Sequence, residues 1–320
     1  MPSEISHKLL IYHSDSKVYK RIISKRLPQL KMHSAIRPEE ALKYIEKADI
    51  ILSSSSLMTD ELLKRASNLL WLASTFAGNE KLVRNPNLPE TVLLTKGTSY
   101  GARMAEYVFA YLLYFSKNVA KYLEDQKKGV WDKTHARQHP GRLRGQTLGI
   151  LGLGSIGKVI AQRGKQFGMK VLGLKRSPEP VDHVDQVFGP DQLDRMIPLV
   201  DDLVVVLPLT PGTYHFLGRK EMEKMKDGAL LINIGRGKVI DQEGLLKVIK
   251  TGKIRAVLDV FETEPLPPDS ELWALDNVII TPHIAGIERP DELCDEFVLN
   301  YERWLRGEPP AGLVDRHRGY

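Results

Sequence analysis

The feature that most constrains the fold is a rhythm. Short apolar runs alternate with amphipathic segments, in two successive blocks. In the first block LLIYH (Leu9–His13), DIILS (Asp49–Ser53), LLWLAS (Leu69–Ser74) and TVLLT (Thr91–Thr95) read as strands. They are apolar throughout rather than at alternate positions, so both faces are covered, as in a parallel sheet between helices. PEEALKYIEKA and TDELLKRA, lying between them, read as helices, the second with Thr59 as N-cap. From Gly101 to about Lys128 the near-helical recurrence of Met104, Val108, Tyr111, Leu112 and Phe115 predicts one long helix. The polar stretch Lys133–Arg144 predicts an exposed loop. The second block holds TLGILGLG, MKVLGLK, DLVVVLPL, GALLINIG, IRAVLDV and NVIITPH, strand candidates with helices between them. A last helix, from about Asp291 to Leu305, is stopped by Gly307 and Pro309.

The predicted fold class is α/β: two Rossmann-like, doubly wound parallel-sheet domains with a cleft between them. A chain of 320 residues is long enough for both. Cys294 is the only cysteine, so no internal disulfide is possible and a reducing compartment fits. The N-terminus lacks the charged and apolar regions of a signal peptide, and no apolar run approaches the roughly 20 residues that span a bilayer. A cytoplasmic protein without membrane contact is expected. The net charge of +6 raises the question of a nucleic-acid partner. Lys and Arg are interleaved with Glu and Asp and form no basic arm, so no such partner is expected.

The second block opens with LGILGLGSIG, a Gly-x-Gly-x-x-Gly run that leaves an apolar strand and enters a helix. Gly152 permits the tight turn, Gly154 lets the backbone approach a pyrophosphate, and Gly157 lets helix pack closely on strand. The free N–H groups from Ser155, Ile156 and Gly157 would then face the anion. In enzymes that use NAD an acidic residue ends the next strand, about 20 residues on, and holds the ribose 2′-hydroxyl. Here MKVLGL ends in Lys175, followed by Arg176 and Ser177. Two cations and a hydroxyl suit a 2′-phosphate, so NADP(H) is expected over NAD(H).

Three further strands run into polar residues: LLINI into Gly235-Arg236-Gly237, AVLDV into Phe261-Glu262-Thr263-Glu264, and VIITP into His283. Ligands of open α/β sheets bind outside the carboxyl ends of the strands, so Arg236, Glu264 and His283 are expected to converge there. A guanidinium can hold a carboxylate in bidentate fashion. A histidine can pass a proton to or from a reacting oxygen, and a carboxylate on its other nitrogen orients the ring.

With LGLGSIG, LPLTPGT, LINIGRGKVID, LDVFETEPLP and TPHIAG in this order, the chain resembles the D-isomer-specific 2-hydroxyacid dehydrogenases, which include glyoxylate/hydroxypyruvate reductases and phosphoglycerate dehydrogenase. The resemblance runs from about Met104 to Gly286; the N-terminal third shares only the strand–helix rhythm. It implies that Arg236 holds the substrate carboxylate, that His283 is the acid/base and that Glu264 is its partner. It also implies that Asp259 meets the nicotinamide carboxamide, that Pro208 and Thr210 line the cofactor, and that Glu106 is the acidic residue usual in the crossing helix. Backbone N–H groups at Ala77 and Gly78 would bind the substrate carboxylate. Asn79 and Glu80 depart from the family's usual Val-Asp pair there, and Tyr12 and His13 either line the cleft or pack in the core. The implied domains are 1–99 plus 289–320 for substrate and 100–288 for dinucleotide, and the implied assembly is a homodimer through the cofactor domain. No metal is implied. The expected activity is NADP(H)-preferring reduction of small 2-keto acids to D-2-hydroxy acids. Two alternatives share the fold. A cofactor-sensing corepressor would be expected to carry long disordered tails, and no Pro/Ser-rich tail is present. The other is an enzyme for another substrate, such as formate or phosphite; a formate enzyme would be expected to lack the His–carboxylate pair.

Overall fold

The computed structural model describes residues 7–319. The chain divides into two units, Met1–Tyr100 with Ile287–Tyr320, and Gly101–Gly286.

The first unit is built on five parallel strands, β1 (Lys8–Tyr12), β2 (Lys31–Ala35), β3 (Ile50–Ser53), β4 (Trp71–Ser74) and β5 (Leu93–Thr95), in the order β2-β1-β3-β4-β5. The helices of this stretch are α1 (Ser16–Arg26), α2 (Pro38–Ala41), α3 (Asp60–Arg65) and α4 (Glu80–Val83). Thr59 caps α3, its hydroxyl accepting from Leu62 N–H at 3.4 Å. The other helix read from the sequence is shorter than expected: after α2 the chain makes only a 3₁₀ turn at Ile45–Lys47. A terminal helix, Pro290–Leu305, returns to this unit. It starts on a proline, whose fixed φ suits a first helical position, and lays Leu293, Phe297, Val298 and Tyr301 on Tyr19, Ile23 and Trp71. Trp71 is fully buried, stacks on Phe297 at 5.3 Å and donates its indole N–H to Thr95 Oγ1 at 3.0 Å. Burying each large apolar side chain of this kind stabilises the unit by about 1.5–3 kcal/mol.

The second unit holds seven parallel strands: β6 (Thr147–Leu151), β7 (Lys170–Leu174), β8 (Gln186–Phe188), β9 (Asp202–Val205), β10 (Leu230–Asn233), β11 (Arg255–Leu258) and β12 (Val278–Ile280). Their order is β12-β11-β10-β9-β6-β7-β8. The reversal from one side to the other falls between β6 and β9, where an open sheet of this kind takes its ligand. The helices are α5 (Gly101–Ser116), α6 (Val119–Lys128), α7 (Lys133–Gln138), α8 (Ser155–Gln166), α9 (Leu193–Met196), α10 (Arg219–Glu223) and α11 (Gln242–Lys250).

Four local expectations change. The long helix after Gly101 is two helices, because Asn118 sits at φ 51°, a left-handed conformation that no α-helix continues through. The stretch Lys133–Arg144 is a loop only in its second half: Asp132 accepts from His135 N–H at 2.9 Å and starts α7, and from His139 to Arg144 no regular structure follows. Strands β2 and β8 were not read from the sequence. Each is an edge strand with a single neighbour, and KMHSA carries Lys31 and His33 where a central strand would be apolar.

Candidate active site

The glycine run does what its spacing requires. Gly152 closes β6 at φ 109°, and a Cβ there would lie 2.9 Å from the Val206 carbonyl oxygen. At Gly157 a Cβ would lie 1.9 Å from the Gly152 carbonyl oxygen, so helix and turn touch through backbone alone. At Gly154, by contrast, a Cβ would meet nothing within 4 Å. The open side of the turn is therefore at Gly154, in front of the first N–H groups of α8, and no side chain caps that helix. Open space before uncapped amides, beside the point of strand reversal, fits a dinucleotide pyrophosphate.

Lys175, Arg176 and Ser177 follow β7 directly, Arg176 and Ser177 exposed and Lys175 half-buried. Lys175 lies 3.9 Å from the Glu179 carboxylate, a loose exposed pair of the kind that contributes about 0–1 kcal/mol. After β9, Thr213 holds the loop of Pro208 and Thr210: it donates to the Pro208 carbonyl at 2.7 Å and accepts from Thr210 N–H at 2.8 Å. That role was not read from LPLTPGT, although a threonine three residues after another is a common turn signal.

The three strand ends at β10, β11 and β12 form one connected structure. Asn233 shapes the first. Its Oδ1 accepts from Gly235 N–H at 3.1 Å and its Nδ2 donates to the Arg236 carbonyl at 3.3 Å, so the turn presents the Arg236 side chain. Arg236 is half-buried and donates from Nη1 to the Gly235 carbonyl at 2.8 Å. Gly237 then packs against Phe261, where a Cβ would fall 1.9 Å from the carbonyl carbon. Glu264 is tied to the same residue, its Oε1 accepting from Phe261 N–H at 3.0 Å. Its other oxygen, Oε2, lies 2.8 Å from His283 Nδ1. The carboxylate thus uses both oxygens, one on its own loop and one on the imidazole, and leaves His283 Nε2 outward.

His283 adopts φ 55°, which costs a residue with a Cβ about 1–3 kcal/mol and persists only where neighbours over-determine it. Asp259 supplies that constraint. It is buried, its Oδ1 accepts from Ile284 N–H at 2.7 Å and from the Thr281 hydroxyl at 2.6 Å, and its Oδ2 accepts from Ala285 N–H at 2.9 Å. Three of roughly four acceptor sites of the carboxylate are so occupied, and one remains for an amide donor. A second brace joins His215 to Glu262 at 2.9 Å, and Glu262 also accepts from Gln242 N–H at 3.0 Å. Asp241 lies beside them but caps α11 through Gly244 N–H at 3.0 Å.

In the first unit the loop after β4 is pinned by its carbonyls. Thr75 accepts from the Tyr100 hydroxyl at 2.5 Å, Phe76 from Gly97 N–H and from Asn79 Nδ2, both at 3.1 Å, and Gly78 from Ser55 Oγ at 3.2 Å. The N–H groups of Ala77 and Gly78 donate to nothing among the described residues. Two adjacent unpaired amides, on a loop held from behind, suit a carboxylate. Tyr12 and His13 are buried. His13 stacks on Tyr19 at 5.0 Å and lies 3.0 Å from Glu288, which supports the core alternative for both. Glu106 is exposed on α5.

A phosphate cradle at a strand reversal, with an arginine and a carboxylate-oriented histidine on the same carboxyl edge, defines an α/β oxidoreductase that works with a nicotinamide dinucleotide. The sequence profile of the "D-isomer specific 2-hydroxyacid dehydrogenase, NAD binding domain" matches residues 109–285. The chain therefore belongs to the D-isomer specific 2-hydroxyacid dehydrogenase family. It is 34% identical over 252 residues to glyoxylate/hydroxypyruvate reductase B of Yersinia pestis (strain Pestoides F), covering 77% of each chain. It is 30% identical to D-3-phosphoglycerate dehydrogenase of Methanocaldococcus jannaschii over 92% of its own length, and spans 56% of that longer protein. Among solved structures it is similar to a family member from Aeromonas salmonicida subsp. salmonicida A449 (TM-score 0.87, 40% identity, 97% and 99% of the two chains). It is similar also to a D-isomer specific 2-hydroxyacid dehydrogenase from Xanthobacter autotrophicus Py2 in complex with NADPH and MES (TM-score 0.86, 30% identity, 98% and 100%). Among the described residues no helix is long and apolar enough to cross a membrane.

Proposed function

We propose that this protein is an NADP(H)-preferring reductase of small 2-keto acids, making D-2-hydroxy acids. The observation that carries the reading is the 2.8 Å pair of His283 Nδ1 and Glu264 Oε2, built onto the same backbone framework as Arg236. The reduced nicotinamide, when bound, supplies the hydride that C2 of the keto acid receives. His283 Nε2 donates the proton that the forming alkoxide oxygen needs, and takes it back in the reverse direction. Glu264 fixes the ring so that Nε2 faces outward. Arg236 holds the substrate carboxylate in the second unit; in the first unit the carboxylate-binding groups are the amides of Ala77 and Gly78. The amides from Ser155 to Gly157 hold the pyrophosphate, Pro208 and Thr210 line the nicotinamide side, and the remaining acceptor site of Asp259 takes the carboxamide.

The cofactor preference rests on Lys175, Arg176 and Ser177 at the end of β7, where an acidic residue would select NAD. The Xanthobacter relative, solved with NADPH, supports the same choice. A homodimer is supported by Trp131, 92% exposed between α6 and α7, with Val130 next to it in the chain and Leu123 of α6 also exposed, apolar surface that a second copy of this chain would cover. The test is a panel of 2-keto acids, glyoxylate and hydroxypyruvate among them, each with NADPH and NADH. Turnover of at least one with NADPH is expected. A protein that binds NADPH and reduces none of them is a cofactor-binding protein instead.

A further inference from the structure

The acid/base reading leaves unexplained why His283 is held by a buried carboxylate that is itself oriented from α5. Tyr107 of α5 and Thr281 at the end of β12 have their hydroxyls 2.5 Å apart. The Thr281 hydroxyl has one proton and gives it to Asp259 Oδ1 at 2.6 Å, so towards Tyr107 it can only accept. Tyr107 is therefore the donor. Burial pushes its phenol above the ordinary tyrosine value, which keeps that proton in place throughout the neutral range. The chain of bonds runs from Tyr107 to Thr281 to Asp259, and from Asp259 to the N–H groups of Ile284 and Ala285, the two residues that follow His283. The backbone closes the loop, since His283 N–H donates to the Asp259 carbonyl at 2.9 Å and Thr281 N–H to the Leu258 carbonyl at 3.0 Å. Every link lies within Gly101–Gly286.

We propose that Tyr107 and Thr281 are positioning residues for the acid/base histidine: they aim the Asp259 carboxylate, which holds His283 in its left-handed conformation with Nδ1 on Glu264. The two hydroxyls are bonded to each other and to Asp259, not to His283 or Glu264. Removing one leaves the Asp259 carboxylate on the N–H groups of Ile284 and Ala285 with its Oδ1 hydroxyl donor lost, or unsupported from behind, so the carboxylate tilts and His283 shifts on Glu264. The proton step slows while the dinucleotide cradle, built from β6 and α8, is untouched. This inference rests on the acid/base role of His283.

Tyr107→Phe and Thr281→Val each delete one hydroxyl with little change of volume, and Thr281→Ser keeps it. With NADPH and the best keto acid of the panel, both deletions should lower kcat about 10-fold, the lower range for losing a partner behind a functional group. The solvent deuterium isotope effect on kcat should rise, because proton transfer then limits the rate. The NADPH Kd, read by fluorescence without substrate, should rise less than kcat falls, because only the one Asp259–carboxamide contact is disturbed while the pyrophosphate cradle is kept, and Thr281→Ser should behave as wild type. A purely structural role would lower stability without raising the isotope effect. The proposal is overturned if both deletions leave kcat unchanged, or if they weaken NADPH with no change in the isotope effect, which would assign Asp259 to the cofactor alone. His283→Asn measured alongside separates the two readings. An active His283→Asn variant removes the acid/base role itself. An inactive one beside a normal Tyr107→Phe removes only the positioning chain.

Discussion

Asp202 provides a test of the electrostatics that needs no substrate. It opens β9 and faces Arg255, which opens β11, on either side of Leu230. The carboxyl is buried, and its Oδ2 has no hydrogen-bond partner among the described residues. Arg255 covers the Phe115 ring at 4.8 Å and spends Nη2 on the Gly228 carbonyl at 2.7 Å. Burial therefore outweighs the attraction of Arg255, and the carboxyl is pushed up to about 7 from 3.8. In the unfolded chain the same group ionises near its ordinary value. Between pH 3.8 and about 7 the folded protein thus binds a proton that the unfolded chain has released, so stability falls as pH rises through this window and is flat above it. Over the whole shift of about three pKa units the linkage is at most about 4 kcal/mol. Between pH 5 and 8 it amounts to roughly 2–3 kcal/mol. Asp202→Asn abolishes the titration, and the charge on Arg255 adds only a constant offset across this range. Urea unfolding of both proteins at half-unit steps from pH 5 to 8 gives the difference directly. It should move in favour of Asp202→Asn by roughly 2–3 kcal/mol as pH rises. A pH-independent difference, or movement in the opposite sense, would refute the account of a buried, poorly compensated carboxyl.

Three other outcomes follow from the sites. His283→Asn and Arg236→Ala should each lower turnover at least about 10²-fold, the first mainly in kcat and the second also by raising the keto-acid KM, as steady-state kinetics would show. NADPH should be preferred over NADH by about 10²-fold in kcat/KM, near 2.7 kcal/mol, and Lys175→Asp with Arg176→Ala should narrow or reverse this; equal values in the unaltered protein would place those side chains in solvent. Trp131→Glu should shift the protein to monomers in light scattering after size-exclusion chromatography, and an unchanged mass would show that the copies, if they pair, do so elsewhere.

Central strands and the glycine cradle were legible in the sequence, because each is determined locally. A strand covered on both faces must be apolar throughout, and a turn that brings backbone within 1.9 Å of a Cβ position must be glycine. For the same reason Arg236, Glu264 and His283 could be picked out at the ends of apolar runs. Edge strands β2 and β8 were not legible, since half of each is unpaired and polar residues are tolerated there. Nor was the break at Asn118, where an apolar spacing that suits a helix continues across a residue in a left-handed conformation. The links behind the site were invisible for a different reason. Asn233 could be paired with the Arg236 turn only once β10 ended there, and Tyr107 lies 174 positions from Thr281 along the chain. Sequence determines what each strand end can offer. Only the packing of α5 against the ends of β11 and β12 decides which hydroxyl orients which carboxylate, because hydrogen bonds act over about 3 Å and the residues that make them are chosen by the fold, not by spacing.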